Sequence, residues 1–465
     1  MASGLLALSV AAAFEPALRA LVIVLDLAFV TLLGAEMLRT PSPAELRARR
    51  SVPERVGLSG ELLRLLHVVP ARAAGLVLEL SEDSPPALSV AARGVGCLRP
   101  GLEDEPLDAA RAVLGQPLAD DPSGGCDRAV LPDALGGEVV LPRLYRPERR
   151  GAHTLGDVRL RLRSPLGLVW RQARLRGAQR VEVVPALSGL RRALRLAASE
   201  RWLDLGLRRL RRRGALTTDF ESLRDYVHGD DLRLIDWKAT ARRGQPTVRQ
   251  FQVERGQELV LLVDCGRRMA ATAVAGAQRG WTKLDHALDA ALELAAVALQ
   301  GGDRVGLAAF DAVLRAWVPP ARGARQLGRL LEATFELQPR LVESDLARAL
   351  AEVRLRHRRR ALVVMLSDLG DALSAERARE ALRSAPGAQV VFAALDDPDI
   401  AALAAGATPP DPQTSPLRAA ALELARERQA ALQRLEGAGA RVLDALPAGA
   451  AGPLLAAWLD ARRHG

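Results

Sequence analysis

From Glu258 onward, short and continuously apolar runs alternate with longer amphipathic ones, and this alternation constrains the fold more than any other feature. "ELVLLVD" (Glu258–Asp264), "DRVGLAAF" (Asp303–Phe310), "ALVVMLSD" (Ala361–Asp368) and "QVVFAALD" (Gln389–Asp396) read as strands buried on both faces. Helical spacing fills the gaps at Lys283–Gln300, Ala324–Glu336, Asp345–His357 and Ala375–Ser384, with further helices over Leu417–Glu436 and Leu454–Arg462. "LRAWVP" (Leu314–Pro319) reads as an antiparallel hairpin partner. Apolar strands separated by helices predict an α/β, doubly wound, mainly parallel sheet covered on both sides. Such sheets bind ligands at the carboxyl ends of their strands, where the strand order reverses. Asp264 and Asp368 end two of these strands, so a site is expected at that edge.

The other end of the chain has a different constraint. "PALRALVIVLDLAFVTLLGAEML" (Pro16–Leu38) is mostly apolar over 23 residues, and about 20 suffice to span a bilayer. Arg19 and Asp26 interrupt it; a carboxylate at mid-membrane costs roughly 2.5–3.5 kcal/mol on insertion scales. A signal peptide fits poorly, because no basic stretch precedes the apolar one. "GLLALSVAAAF" (Gly4–Phe14) is too short to span alone and reads as the remnant of a first helix. Arg39, Arg47, Arg49 and Arg50 follow closely, which by the positive-inside rule places the downstream chain in the cytoplasm. Residues 1–40 are therefore expected to be a membrane anchor.

Residues 41–188 change period. "GLVLEL" (Gly75–Leu80), "EVVLP" (Glu138–Pro142), "DVRLRLR" (Asp157–Arg163) and "RVEVVP" (Arg180–Pro185) are short strand-like runs punctuated by Pro and Gly. They predict a β-rich, sandwich-like domain. It carries no metal cluster, phosphate loop or nucleophile motif. Leu194, Ala198, Trp202 and Leu205 then share a helical face within Gly189–Gly214. Residues 189–256 read as a linker helix plus a distinctive motif, and 257–465 as the α/β domain.

Composition narrows the function classes. The net charge is +10, yet two of the 65 basic residues, Lys238 and Lys283, are lysines, leaving 63 arginines. Arginine clumps such as "LRRLRRRG" lack interleaved aromatic stacking platforms, which argues against nucleic acid. Cys97, Cys126 and Cys265 form no paired spacing, and the six histidines are dispersed. No Walker loop or nucleophile elbow is present.

The distinctive motif is "DFESLRDYVHGDDLRLIDWKATARRGQPTVRQF" (Asp219–Phe251). Its acids are interleaved with Arg224, Arg233, Lys238, Arg242 and Arg243, which suits ion pairing better than acid–base work. It reads as a structural collar in which Trp237 and Tyr226 fill space. A docking surface and an active site are the alternatives.

This motif, with the order of the parts, resembles the domain of unknown function 58 family. The resemblance is carried by Phe220, Leu223, Arg224, Tyr226, Gly229, Asp230, Asp231, Arg233, Ile235, Asp236, Trp237, Lys238, Ala241 and Arg242; "PLGLVWRQ" (Pro165–Gln172) and "LVESDLARAL" (Leu341–Leu350) also look familial. It implies a von Willebrand factor A-like domain in the C-terminal part and a bacterial inner-membrane location with cytoplasmic domains. A-like domains often hold a divalent cation through D-x-S-x-S, a Thr and a late Asp. Carried over, these positions are Asp264, Gly266, Arg268, Ser344 and Asp368. Both serines are lost. Two arrangements stay open: Asp264, Ser344 and Asp368 supplying three of the roughly six oxygens that Mg²⁺ prefers, or Arg268 (or Arg267) standing in for a cation. The second implies a partner-binding surface without cofactor. The resemblance further implies a non-enzymatic scaffold or adaptor that works with a MoxR-type AAA+ ATPase and other membrane-complex proteins. A metal-dependent, hydrolase-like enzyme is the competing expectation.

Overall fold

The computed structural model describes residues 16–40, 42, 47–69, 76–93, 127–130, 139–186, 220–227, 235–251, 257–272, 280–369, 372–383, 389–406 and 414–464. The chain divides into two compact units, Met1–Val184 and Pro185–Gly465. The linker helix expected over Gly189–Gly214 lies outside the described residues, as do Gly229, Asp230, Asp231 and Arg233.

The first unit opens with helix α1 (Pro16–Arg39). Its 24 residues span about 36 Å at 1.5 Å per residue. Leu21, Ile23, Val24, Leu27 and Val30 all face outward. Water would penalise such a helix, so its surface is suited to lipid or to another apolar partner. Ala20–Arg39 is long and apolar enough to cross a membrane, a test that an N-terminal signal sequence also passes.

Eleven strands follow among the described residues: β1 (Arg47–Ser51), β2 (Arg55–Gly57), β3 (Leu62–Val69), β4 (Val77–Glu82), β5 (Leu88–Arg93), β6 (Asp127–Val130), β7 (Val139–Pro147), β8 (Gly151–Leu155), β9 (Val158–Arg163), β10 (Trp170–Leu175) and β11 (Gln179–Val184). They form sheets ordered β1-β3-β7-β5, β10-β9-β4-β6 and β2-β11-β8. Leu66 and Val68 of β3 and Leu141 of β7 share one core with Leu78 and Leu80 of β4 and Leu160 and Leu162 of β9. Those contacts pack the two four-stranded sheets against each other. At an edge of this core Glu82 is buried with Arg64, and its carboxylate receives Arg50 at 2.8 Å, Arg64 at 2.9 Å and the Tyr145 hydroxyl at 2.7 Å. Burial opposes ionisation of Glu82, but the Arg64 charge and the Tyr145 and Arg50 hydrogen bonds outweigh it and hold its pKa below the usual value.

In the second unit, β12 (Phe220–Asp225) and β13 (Thr247–Phe251) form an antiparallel ribbon that encloses the short helix α2 (Trp237–Arg243). The main sheet comprises β14 (Glu258–Asp264), β15 (Arg304–Phe310), β16 (Leu314–Ala321), β17 (Leu362–Ser367), β18 (Gln389–Leu395) and β19 (Arg441–Ala445). Its order is β16-β15-β14-β17-β18-β19, parallel throughout except that β16 runs antiparallel to β15. The helices are α3 (Lys283–Gln300), α4 (Ala324–Thr334), α5 (Leu346–Arg356), α6 (Ala372–Arg383), α7 (Pro398–Ala404), α8 (Thr414–Glu436) and α9 (Ala451–His464).

Alternate residues of β14 enter opposite cores, as strand geometry requires. Leu259, Leu261 and Val263 pack with α3, α4 and α9, whereas Val260 and Leu262 pack with α5, α6 and α8. The sheet is therefore wound with helices on both faces. Strand order reverses at β14, with β15 and β16 on one side and β17 to β19 on the other. The carboxyl ends of β14 and β17 flank that reversal.

Candidate functional site

Asp264 closes β14 and is only 3% exposed. Its Oδ1 accepts from the Ser344 hydroxyl at 2.5 Å and the Gly266 amide at 2.7 Å, and its Oδ2 accepts from the Ser367 hydroxyl at 2.6 Å. Burial pushes the Asp264 carboxyl above the usual aspartate range; the three hydrogen bonds oppose that rise and the nearby Asp368 charge adds to it. Ser367, the last residue of β17, was not anticipated. The signal was present as the "SD" pair that ends the strand.

Gly266 has a steric explanation. A Cβ placed there would lie 2.0 Å from the Ser344 Oγ and 3.0 Å from the Val342 carbonyl. The Ser344 hydroxyl fills the space that a side chain at position 266 would need.

Asp368 follows β17 and meets two cations. Lys283 Nζ lies 2.8 Å from Oδ2 and Arg428 Nη1 lies 3.0 Å from Oδ1. Lys283 also reaches Asp397 at 3.4 Å, and Arg428 reaches Asp396 at 3.3 Å and Asp444 at 2.7 Å. Acids from the ends of β14, β17, β18 and β19 thus share an edge with one lysine and one arginine brought by α3 and α8.

Lys283 is placed against local preference. Thr282 caps α3 in a reciprocal capping box with Asp285, which makes Lys283 the first residue of the helix. A cation is disfavoured at that positive end of the helix dipole. The Asp368 and Asp397 carboxylates offset this, and the lysine side chain is only 5% exposed.

Arg268, expected as the stand-in cation, lies in the 3₁₀ turn Arg267–Ala270, and the two cations described on Asp368 are Lys283 and Arg428. Arg267 instead pairs with Glu343 at 2.6 Å, both side chains well exposed, an arrangement worth at most about 1 kcal/mol. Beside this pair a cleft of about 710 Å³ is lined by Arg267, Glu343, Leu373, Ser374, Arg377, Glu427, Ala430 and Arg434. Among the described residues, no group of three His, Cys, Asp or Glu side chains is arranged to hold a metal ion.

The distinctive motif is organised around α2. Asp236 caps this helix, accepting from the Ala239 amide at 3.0 Å, and Gly244 ends it at φ 73°. The Tyr226 amide donates to the Pro246 carbonyl at 2.9 Å, tying the ribbon together. Trp237 does not fill a core: it is 71% exposed. As first residue of a seven-residue helix whose buried side chain is Ala239, it lies off the packed face. Lys238 is also exposed. Arg224 sits in β12 opposite Val248.

Residues 222–429 match the family described as "Protein of unknown function DUF58". The match takes in a little under half of the chain, so it is a likeness of this segment to that family. The DUF58 segment runs from within β12 into α8, so it contains the distinctive motif from Ser222 onward and all of Asp264, Lys283, Ser344, Asp368 and Arg428. Uncharacterized proteins of Mycobacterium bovis and Mycobacterium tuberculosis are each 34% identical over 145 residues, covering 31% of this chain and 44% of theirs. The chain thus spans less than half the length of the curated relatives it matches. Among solved structures, an uncharacterized membrane-spanning protein from Vibrio fischeri aligns over 44% of this chain and 97% of its own, with 13% identity and a TM-score of 0.17. The major pilin SpaD from Corynebacterium diphtheriae aligns over 29% of this chain and 35% of its own, with 8% identity and a TM-score of 0.22. Values this low do not establish a shared fold.

Proposed function

We propose that this chain is a non-enzymatic, membrane-anchored scaffold or adaptor whose C-terminal α/β unit, read as von Willebrand factor A-like, binds another protein at the switch-point edge. One observation carries the reading: both carboxylates at the strand ends are already satisfied from within. Asp368 is held by Lys283 and Arg428, and Asp264 by two hydroxyls and an amide. Carboxylates committed in this way are poor nucleophiles or general bases, because another group must first be displaced.

The residues present do not fit the divalent cation that A-like domains often carry. Gly266 offers no hydroxyl, and an ammonium and a guanidinium already occupy the oxygens of Asp368. The cleft beside Arg267 and Glu343, with half-exposed charges and the exposed Leu373, is the proposed docking surface. The MoxR-type AAA+ ATPase remains the proposed partner, α1 the proposed anchor, and the cytoplasm the proposed side. The test is photocrosslinking in membranes that contain the ATPase, with a photoreactive residue at Arg377 or Arg434. A specific ATPase adduct from these positions, absent from a probe at exposed Leu355, supports the reading. Equal labelling at all three positions sinks it.

A further inference from the structure

The familial stretch "PLGLVWRQ" has no part in the site above, yet the structure gives it a definite place. It forms the tip and return strand of the β9–β10 hairpin. The tip is built from its own bonds: the Ser164 amide donates to the Val169 carbonyl at 3.0 Å, the Gly167 amide to the Ser164 carbonyl at 2.9 Å, and the Val169 amide to the Ser164 hydroxyl at 3.1 Å. Gly167 takes φ 75°, and a Cβ there would lie 2.7 Å from the Arg163 guanidinium. The same Arg163 lies over its cross-strand neighbour Trp170, 5.5 Å from the ring centroid.

This hairpin is bonded to the last turn of α1. The Leu166 amide donates to Glu36 Oε2 at 3.3 Å, and Arg171 Nη2 donates to the Met37 carbonyl at 3.1 Å. Glu36 is buried in that contact, and Thr40 closes the helix by donating to the Glu36 carbonyl at 2.8 Å. At the same place Leu166 is 58% exposed and Trp170 48% exposed. β10 is an edge strand whose outward positions carry Trp170, Gln172 and Arg174.

We propose that the β9–β10 hairpin is a second membrane contact, resting its tip on the anionic headgroups of the leaflet where α1 ends. The proposal rests on the reading of α1 as a membrane-spanning helix. If α1 spans, Met37 and Arg39 lie at the headgroup level, and the two hairpin–helix bonds hold Leu166 and Trp170 at that depth. Trp is favoured at this boundary because its indole has an apolar body and a polar N–H. Arg161 and Arg163 flank the tip, whereas Arg159 and Arg174 are paired with Asp83 and Asp157. Cations beside an anionic leaflet add attraction that decays within a Debye length. Because the turn is already fixed by its own bonds, seating it orders little additional chain. The contact also accounts for a buried carboxylate in the last turn of an apolar helix: the Leu166 amide supplies Glu36 with a donor.

The test uses the full chain reconstituted in vesicles of phosphatidylglycerol and phosphatidylcholine, with or without acyl-chain bromines near the headgroup. Tryptophan emission should fall in the brominated vesicles, and Trp170→Phe should remove that loss. Leu166→Trp should add a second quenched component, and Arg161→Gln should weaken quenching in phosphatidylglycerol-rich vesicles. Leu27→Trp, with bromines deeper in the chain, reports α1 itself. Quenching of Leu27→Trp without quenching at positions 166 and 170 overturns the hairpin contact and leaves the anchor standing. No quenching at any of the three overturns the anchor. Emission at position 170 that is unquenched by lipid but protected from aqueous iodide assigns the hairpin to a protein contact and overturns the lipid proposal.

Discussion

Lys283→Met removes the ammonium while keeping a chain of similar length, so the loss is electrostatic with little cavity contribution. Deleting one member of a buried ion pair typically costs about 3–5 kcal/mol, because the partner charge stays buried. Two features of the structure lower that figure. Asp368 keeps Arg428 at 3.0 Å, and Asp397 is partly exposed to solvent. Removing a cation from the first turn of α3 also relieves an unfavourable dipole interaction of about 0.3–1 kcal/mol. The net cost is then about 2–3 kcal/mol. At about 2–4 °C per kcal/mol for a unit of this size, the variant should melt about 5–10 °C below wild type at neutral pH, followed by circular dichroism. Mg²⁺ or Mn²⁺ should recover part of this deficit, since an ion bound only by the folded state stabilises it by mass action, and wild type should not respond. A fall worth less than about 1 kcal/mol, typical of an exposed pair, would refute the view that Lys283 neutralises this edge.

Three further substitutions probe the same unit. Gly266→Ala should destabilise by about 1–3 kcal/mol through overpacking, and adding Ser344→Gly should return part of that stability in a thermal melt; no recovery would mean that the Ser344 hydroxyl is not the obstacle. Burial raises the Asp264 pKa above its ordinary 3.8, so the stability tied to its protonated form is full below that value and lost as pH rises through the folded value. Asp264→Asn should therefore melt at or above wild type at neutral pH and lose that advantage towards pH 4; a variant that melts lower at neutral pH with the same pH slope contradicts the assignment. Trp237→Ala should change stability by no more than about 0.5 kcal/mol, as for an exposed position, and a loss of several kcal/mol by urea titration would show that the indole is buried.

The α/β unit was legible because its inner strands are continuously apolar. β14 and α3 match their expected bounds, and β15, β17 and β18 lie within a residue of theirs. Strands β1 and β10, "RARRS" and "WRQARL", were not, because edge strands with half-exposed arginines lack an apolar run or clean alternation. At the site, the resemblance brought Asp264 and Ser344 together, and they touch. The cations escaped the reading since Lys283 and Arg428 reach Asp368 across 85 and 60 residues of sequence. No local pattern encodes such a contact, which depends on how α3 and α8 cross the sheet. Trp237 escaped it for another reason. Rarity in a biased composition says that a residue type is needed, and burial is only one way of being needed.

Lys283 and Lys238 are the two lysines of the chain, and the first is enclosed while the second is on the surface. For amine-directed reagents the folded protein therefore offers a single lysine target, at the second residue of α2. Among lysines, an ester dye or crosslinker would label the distinctive motif, and a second modified lysine would appear only as α3 separates from β17. The extent of lysine modification is thus a ready measure of whether the switch-point edge has opened.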